Sequence, residues 1–202
     1  MAVILYVETN FLMSIAKGQD ELAENFLQNT PTSVCLAIPS ICYIESLGTL
    51  EQEDKYNQDF SRRLDIQVNE AGRDKTSQNA KLVVNYLKQA KISFLQRNND
   101  TEKRFYIALN QLFTKAEEIP LTTEIIHGSL ARNILEKHLM DKLIIECTVH
   151  HARLHPDEIK IFLSSNSKEF GRREVIEVLR DSGIQYFNKT QNFLGWLQSQ
   201  SN

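Results

Sequence analysis

Short apolar segments alternate with helical segments over most of the chain, and this alternation predicts an α/β fold. The pattern is typical of a three-layer α/β/α sandwich with a mainly parallel central sheet, because strands covered on both faces are apolar throughout and are joined by helices. Only 7 Gly and 4 Pro occur in 202 residues, so we expect short loops and much helix. This length is enough for one domain with a full core. We predict a single domain, residues 1–202, with one helical insertion at about residues 54–118.

The first part of the chain alternates between strand-like and helix-like spacing. The run AVILYV is apolar and predicts a buried first strand, after which the apolar spacing becomes helical. Gly18 and Pro39 mark the ends of a helix and of a strand. Ser40 is a candidate N-cap of a long helix. The predicted elements here are a strand at 2–7, helices at 9–18 and 20–28, a strand at 33–38 and a helix after Ser40.

The predicted insertion shows helical spacing without strand-like runs. One apolar helical face in it consists of Leu82, Val83, Tyr86, Leu87 and Ala90. A second run with helical spacing comprises Phe105, Tyr106, Leu109, Leu112, Phe113 and Ala116. We therefore predict a helical hairpin added to the α/β core.

The last part of the chain returns to alternation. Pro120 and the stretch PLTTEIIHGSLA predict a short strand that passes into a helix. The remaining predicted elements are a helix at 140–154, a strand at 158–165, a helix at 173–183, a strand at 184–187 and a helix at 191–199.

The charge of the chain is unevenly distributed. The formal net charge is −3, which argues against a general nucleic-acid coat. Between Arg73 and Lys115, however, nine basic residues stand against three acidic ones. This distribution fits a protein that attracts a phosphate backbone in one part and binds a metal in another. Taken alone, however, it is better explained by basic side chains that solvate a helix. The candidate nucleic-acid contacts in the insertion are Lys81, Lys88, Lys91 and Arg97.

Several classes of protein are disfavoured by the sequence. No apolar run approaches the roughly 20 residues that a membrane-spanning helix needs. The three cysteines show no metal-ligand spacing, and we expect them to be reduced core residues of a cytoplasmic protein. His151 and His155 have the i, i+4 spacing of a metal pair, but we interpret them as the polar last turn of a helix. Phosphate-loop and dinucleotide glycine motifs are absent from the sequence.

Four polar positions in separate segments are candidates for one site. Glu8 follows the first strand, Glu45 lies in the helix after the second strand, Asp141 opens an apolar helix, and Asn166 ends a later strand. Carboxylates that folding brings together repel unless a cation lies between them, by roughly 4 kcal/mol for two charges about 4 Å apart. Each position alone also fits a structural role, as a helix cap, a solvent-facing side chain or a turn residue. Together they predict a divalent metal site, whose commonest use is phosphate chemistry.

In this order and context, the four segments resemble the PIN-domain nucleases. The family pattern appears as Glu8-Thr9-Asn10, as Glu45, as Asp141, and as Ser164-Ser165-Asn166 followed by Glu169-Phe170. The resemblance covers about residues 2–53 and 119–197 and leaves the insertion outside. Glu8 stands where the family normally has Asp, Ser164 replaces Thr, and Asn166 replaces an acid.

The resemblance implies a metal-dependent ribonuclease. Glu8, Glu45 and Asp141 would hold Mg²⁺ or Mn²⁺, and Asn166 would complete the catalytic group. Thr9, Asn10 and Ser164 would orient these ligands or a bound water. The candidate phosphate contacts near this site are Arg172 and Arg173, which also fit a solvated helix start.

Two other functions stay open at this point. A PIN-like RNA- or protein-binding module that has lost catalysis is favoured by Glu8 and Asn166. A metal-dependent hydrolase of small phosphate esters would not need the basic insertion. Many small PIN proteins are toxins, so the expected partners are RNA, an antitoxin-type protein and a second copy of the chain, with the insertion as an electropositive arm or a dimer surface.

Overall fold

The computed structural model describes residues 2–200. Within this range the chain forms five strands and eight helices. They are β1 (Val3–Val7), α1 (Thr9–Ala16), α2 (Glu21–Gln28), β2 (Val34–Pro39), α3 (Ser40–Arg73), α4 (Gln78–Lys115), β3 (Ala116–Ile119), α5 (Thr123–Ala131), α6 (Leu139–Leu154), β4 (Ile159–Leu163), α7 (Arg173–Asp181), β5 (Ile184–Phe187) and α8 (Thr190–Gln200).

The strands of the described chain form one parallel sheet in the order β3-β2-β1-β4-β5. All five residues of β1 are buried, as expected for a central strand covered on both faces. The chain builds the sheet outwards from β1, first through β2 and β3 and then through β4 and β5. The strand order therefore reverses between β1 and β4, and the crevice outside their carboxyl ends is the usual ligand position of such sheets. The predicted α/β/α fold with a parallel sheet is confirmed.

The centre of the sheet is closely packed. Tyr6 of β1 and Phe162 of β4 are register partners, and both are fully buried. Phe162 also packs edge-on against Phe170, with ring centroids 5.1 Å apart. Burial of such a side chain contributes about 2 kcal/mol. The strand ends that carry Glu8 and Ser164 are thus held by a rigid core.

The chain divides into two compact units. One comprises Met1–Ser46 and Phe105–Asn202 and contains the sheet. The other comprises Leu47–Arg104 and contains the greater parts of α3 and α4. The predicted insertion at 54–118 overlaps this second unit, and its place within a single domain stays a prediction.

The second unit is an antiparallel helical hairpin. Phe60 packs on Phe94 with ring centroids 4.9 Å apart, and Asp65 accepts hydrogen bonds from Lys91 Nζ at 2.6 Å. Residues 74–77 connect the helices, and Asp74 Oδ1 accepts from the main-chain N–H of Ser77 at 2.9 Å. The less exposed side chains of α4 recur after alternately four and three residues, at Ala80, Val84, Leu87, Lys91, Phe94, Asn98 and Thr101. This spacing is that of a coiled-coil seam.

Two details differ from the sequence prediction. The apolar face predicted for the hairpin is largely in solvent, since Leu82, Val83 and Tyr86 are exposed. When two helices pair as in a coiled coil, the residues between them repeat every 3.5 positions on average. These residues need not form the most apolar face of the helix. In addition, β3 ends at Ile119 and so precedes Pro120, which places Glu117 and Glu118 in a strand.

Among the helices of residues 2–200, none has the combination of length and apolarity that crossing a bilayer requires.

Candidate functional site

Glu8 lies at the strand-order reversal, directly after β1. It is 2% exposed and is the N-cap of α1. Its Oε2 accepts a hydrogen bond from the main-chain N–H of Asn10 at 2.7 Å, and its Oε1 accepts one from the Ser164 hydroxyl at 2.7 Å. The Val7–Leu163 register pair places Glu8 and Ser164 side by side at the ends of their strands. Both carboxylate oxygens are therefore fixed, each with lone-pair capacity left for another partner.

The loop after β4 supports this arrangement through its backbone. The main-chain N–H of Asn166 donates to Ser164 Oγ at 3.0 Å, which aims the hydroxyl proton at Glu8. The carbonyl of Asn166 accepts from the N–H groups of Glu169 and Phe170 at 3.3 and 2.9 Å. Asn166 thus shapes the turn that carries Glu169 inward, a role that its turn-prone sequence also predicted.

Glu45 is positioned by the first turn of α1. The Thr9 hydroxyl donates a hydrogen bond to Glu45 Oε2. Thr9 follows Glu8 in the chain, so one short segment contacts both carboxylates, one through the Asn10 N–H and the other through the Thr9 hydroxyl. The predicted supporting roles of Thr9, Asn10 and Ser164 thus correspond to hydrogen bonds in the structure.

Asp141 lies in the first turn of α6 beside two groups that the sequence analysis left out of the site. His138, the N-cap residue of α6, has Nδ1 at 3.9 Å from Asp141 Oδ2 and Nε2 at 3.4 Å from Glu169 Oε2. His138, Asp141 and Glu169 each offer a ligand atom within 4.8 Å of the others. Arg172 forms an ion pair with Glu169. His138, Glu169 and Arg172 are therefore neighbours of Asp141 in this part of the site.

The carboxylates of this site influence one another electrostatically. The pKa of Glu8 is raised to about 7, chiefly by burial and to a smaller extent by the negative charges of Glu45 and Asp141, while the hydrogen bonds from Asn10 and Ser164 lower it. The pKa of Asp141 is raised to about 6, first by burial and then by Glu45 and Glu169, while His138 and Arg172 lower it. Crowded buried carboxylates favour protonation or a bound cation.

The donor set fits a hard divalent cation. Glu8, Glu45, Asp141 and Glu169 supply carboxylate oxygens, the ligands that Mg²⁺ and Mn²⁺ prefer. Glu169 Oε2 is buried, forms an ion pair with Arg172 and lies 3.4 Å from His138 Nε2. A carboxylate oxygen keeps lone-pair capacity beyond one such contact, so Glu169 can also serve as a metal ligand.

The predicted phosphate contacts occupy different surroundings. Arg172 lies at the cluster through its ion pair with Glu169, whereas Arg173 pairs with Glu177 at 2.8 Å on α7. In the second unit, Lys91 forms an ion pair with Asp65. The remaining three, Lys81, Lys88 and Arg97, are exposed.

Glu169 and His138 lie beside the predicted site residues but were not among them. Glu169 stood within the matched motif after the strand that forms β4, where the sequence analysis selected Asn166 with Ser164 in support. His138 showed no spacing to another ligand in the sequence. Only the fold brings it to Glu169, 31 residues away.

Ser164 contributes to the lining of a cleft of about 230 Å³. The cleft is lined by apolar as well as polar side chains and includes one basic side chain, Lys189. The residues that line it are Phe11, Ser14, Asp20, Leu22, Leu163, Ser164, Ser165, Asn188, Lys189, Thr190 and Gln191.

Comparison with known proteins supports the family assignment. The sequence model of the PIN domain matches residues 5–170. No curated protein matches the chain. Among solved structures, VapBC2 from Rickettsia felis, determined bound to a DNA fragment from their promoter, matches over 91% of this chain and 98% of its own, with 14% identity and a TM-score of 0.43. A likeness this distant says nothing about the function or partners of this chain. The match over residues 5–170 shows that the chain belongs to the PIN-domain family, a nuclease-type family that generally depends on divalent metals.

Proposed function

We propose that this protein is a metal-dependent ribonuclease that hydrolyses phosphodiester bonds in RNA. The observation that carries the proposal is Glu8, a buried carboxylate at the strand-order reversal whose pKa is raised to about 7 in the field of Glu45 and Asp141. A buried carboxylate at the carboxyl ends of the strands destabilises the fold unless ligand binding compensates. A structural carboxylate would instead be paired with a cationic side chain.

Glu8, Glu45, Asp141 and Glu169 would hold Mg²⁺ or Mn²⁺. Bound there, the ion would polarise a non-bridging phosphate oxygen and favour the hydroxide form of an attacking water. Ser164 and the Asn10 N–H keep Glu8 in one orientation, and Thr9 does the same for Glu45. The carboxylates are thus oriented before any ligand arrives, which reduces the cost of reorganisation.

Metal binding at this site is coupled to the release of protons from its carboxyl groups. Glu8 and Asp141, with pKa values of about 7 and 6, give up protons when a cation binds. Arg172, held by Glu169 at the rim of the cluster, places a guanidinium where a phosphate can accept two hydrogen bonds. Both features favour an anionic, phosphate-bearing substrate.

RNA fits this site better than a small phosphate ester, because the cleft beside Ser164 offers further contacts. Ser14, Ser165 and Gln191 offer hydrogen bonds to ribose and base edges, and Lys189 offers a charge to a phosphate. In the second unit, the exposed basic side chains of Lys81, Lys88 and Arg97 stay predicted phosphate contacts. An antitoxin-type partner stays a prediction from the family resemblance.

The test is cleavage of a panel of labelled single-stranded and structured RNAs with Mn²⁺, Mg²⁺ or EDTA. The variants are Asp141→Asn and, as a matched control, Asp181→Asn at the exposed end of α7. We expect metal-dependent cleavage that Asp141→Asn lowers at least about 100-fold, with Asp181→Asn at the wild-type level.

Two results would contradict the proposal. One is the absence of cleavage by folded wild type with either metal; if such protein still binds RNA, the lapsed binding module is the better assignment. The other is equal cleavage by wild type and Asp141→Asn. Turnover of a small phosphate ester without RNA cleavage would favour the small-ester hydrolase.

A further inference from the structure

A second cluster of ligand-type side chains lies towards the other end of α6. His151 Nε2 is 3.2 Å from Glu117 Oε1 of β3, and the rings of His151 and His155 stack with centroids 4.4 Å apart. Glu117, His151 and His155 each offer a ligand atom within 4.8 Å of the others. His151 lies ten residues beyond Asp141 on α6, which is about 15 Å along the helix axis. The cluster is therefore separate from the carboxylates of the nuclease site.

His151 is the most buried residue of this cluster, and a hydrogen bond holds its ring in place. It is buried, and its Nδ1 lies 3.0 Å from the Tyr6 hydroxyl. Its Nε2 is buried without a hydrogen-bond partner among residues 2–200, and it faces Glu117. When Nδ1–H donates to Tyr6 Oη, Nε2 presents its lone pair towards Glu117. A ligating histidine in proteins is oriented in this way by a hydrogen bond from its other nitrogen.

The donor types favour a borderline-soft metal. Two imidazoles and one carboxylate form the cluster, and the Cys35 thiol of β2 lies 4.0 Å from Glu117 Oε2. Imidazole and thiolate suit Zn²⁺, whereas Mg²⁺ and Ca²⁺ select oxygen alone. Neighbouring ligand atoms of tetrahedral Zn²⁺ stand about 3.4 Å apart, given bond lengths near 2.1 Å. The 3.2 Å separation of His151 Nε2 and Glu117 Oε1 is close to that value.

The cluster is open on one side. The side chain of Glu117 is 47% exposed and that of His155 is 31% exposed, while that of His151 is 7% exposed. Glu158 lies 3.7 Å from His155 Nδ1 and competes for it as an ion-pair partner. An ion can thus enter from solvent between two adjustable side chains and reach a buried, pre-oriented third.

We propose that Glu117, His151 and His155 form a second metal site, which takes Zn²⁺. The Cys35 thiol lies outside this group of three but 4.0 Å from Glu117 Oε2, and it becomes the fourth ligand when its side chain turns towards the ion. Three of these ligands come from different elements, β2, β3 and α6, and His155 follows the last residue of α6. Zinc at this position links two neighbouring strands to the helix that carries Asp141 at its other end. With Cys35 bound, protein groups fill all four positions and none is left for substrate, so the role of the site is structural.

The experiment measures metal binding instead of catalysis. Untagged full-length protein carrying Asp141→Asn, stripped of metal, is titrated with Zn²⁺ against a chromophoric chelator, and its thermal unfolding is followed with and without Zn²⁺. Glu117→Gln and His155→Asn remove accessible ligands and leave buried His151 in place. Glu118→Gln on the same strand and His150→Asn on the same helix are the matched controls, because neither belongs to the cluster.

We expect one equivalent of Zn²⁺ to bind and to raise the unfolding temperature. Each ligand variant should weaken binding at least about tenfold, and the controls should not. With Co²⁺ as a probe, wild type should show a thiolate absorption band that Cys35→Ser removes. Failure to bind a stoichiometric equivalent, or equal binding by ligand variants and controls, would overturn the zinc site. Stoichiometric binding without the thiolate band would overturn the place of Cys35 in it.

Discussion

Glu8 is one carbon longer than the aspartate that PIN domains usually carry, and its surroundings hold the longer side chain still. Ser164 and the Asn10 N–H each bind one carboxylate oxygen. Both donors belong to rigid positions, the end of β4 and the first turn of α1. The extra length of about 1.5 Å is therefore accommodated without loss of order at the carboxylate.

The raised pKa of Glu8 has a consequence for stability in the absence of metal. Its pKa rises from 4.5 to about 7 on folding, so the folded state binds more protons than the unfolded state between these values. The stability that Glu8 contributes is present below the lower value and is lost as the pH rises through the upper one. In EDTA, the free energy of unfolding should fall by about 2 to 3 kcal/mol over this range relative to Glu8→Gln.

Chemical denaturation of wild type and Glu8→Gln in EDTA, at several pH values between these limits, measures this difference. Subtracting the Glu8→Gln curve removes the contribution of the other titrating groups. Parallel curves for the two proteins would contradict the raised pKa. Added Mn²⁺ should reverse the trend for wild type, because binding replaces the proton with a cation.

Individual site residues were predictable where a local pattern marks them. Glu8 follows an apolar run and Asp141 opens an apolar helix, and both lie in the carboxylate group that folding brings together. Asn166 has a suitable residue type, but its backbone groups are what contact the site loop. His138 was not predictable, because its relation to Glu169 depends on how α6 meets the loop after β4.

At the scale of elements, β3 explains why the second metal cluster escaped the sequence analysis. The segment AEEI has two glutamates in four residues and continues the helical spacing of α4, so its sequence favours a helix end. It forms a strand because β2 offers it a parallel edge, from the Leu36–Ala116 pair to the Pro39–Ile119 pair. Tertiary pairing overrides local propensity here, and it is what brings Glu117 to His151.

The start of α8 leads to a prediction about RNA binding. Lys189 precedes this helix and lines the cleft beside Ser164. If an RNA strand follows the cleft, Lys189→Ala should weaken binding and raise KM about threefold to tenfold with little change in kcat. The salt dependence of binding should also decrease by roughly 0.7 in log–log slope, the value for one phosphate contact on a single strand.

Fluorescence anisotropy of a labelled RNA at several salt concentrations, with EDTA present to prevent cleavage, provides the measurement. Arg180→Ala removes one exposed positive charge elsewhere in the sheet-containing unit and is the control. Equal affinities and slopes for the two variants would place the RNA path outside the cleft.

At the scale of the whole molecule, the hairpin leads us to predict a homodimer. Outside its seam it exposes large apolar side chains, including Tyr86 at 65% and Leu82 at 49%. Within residues 47–73 six acidic side chains stand against four basic ones, whereas residues 78–104 have two acidic and six basic. A two-fold pairing that places α3 of one copy against α4 of the other would cover apolar surface and match opposite charges.

Sedimentation equilibrium tests this prediction. Wild type should dimerise, and the double change Leu82→Glu with Tyr86→Glu should raise the dimer dissociation constant at least about tenfold. Leu130→Glu alters an equally exposed leucine of α5 and should leave the constant unchanged. A wild type that stays monomeric at the highest accessible concentration would contradict the dimer, and the hairpin would then be available as an RNA-binding arm.

The alternating spacing of the hairpin seam constrains how its length can change. Adding or removing seven residues in each helix, opposite one another, restores the same phase, so both arms keep their facing side chains. Loss of a single residue turns everything beyond it by about 100° and puts the seam into solvent. Relatives that carry this hairpin should therefore differ in matched steps of about seven residues per arm, and the connection at residues 74–77 is where unmatched insertions can be accepted.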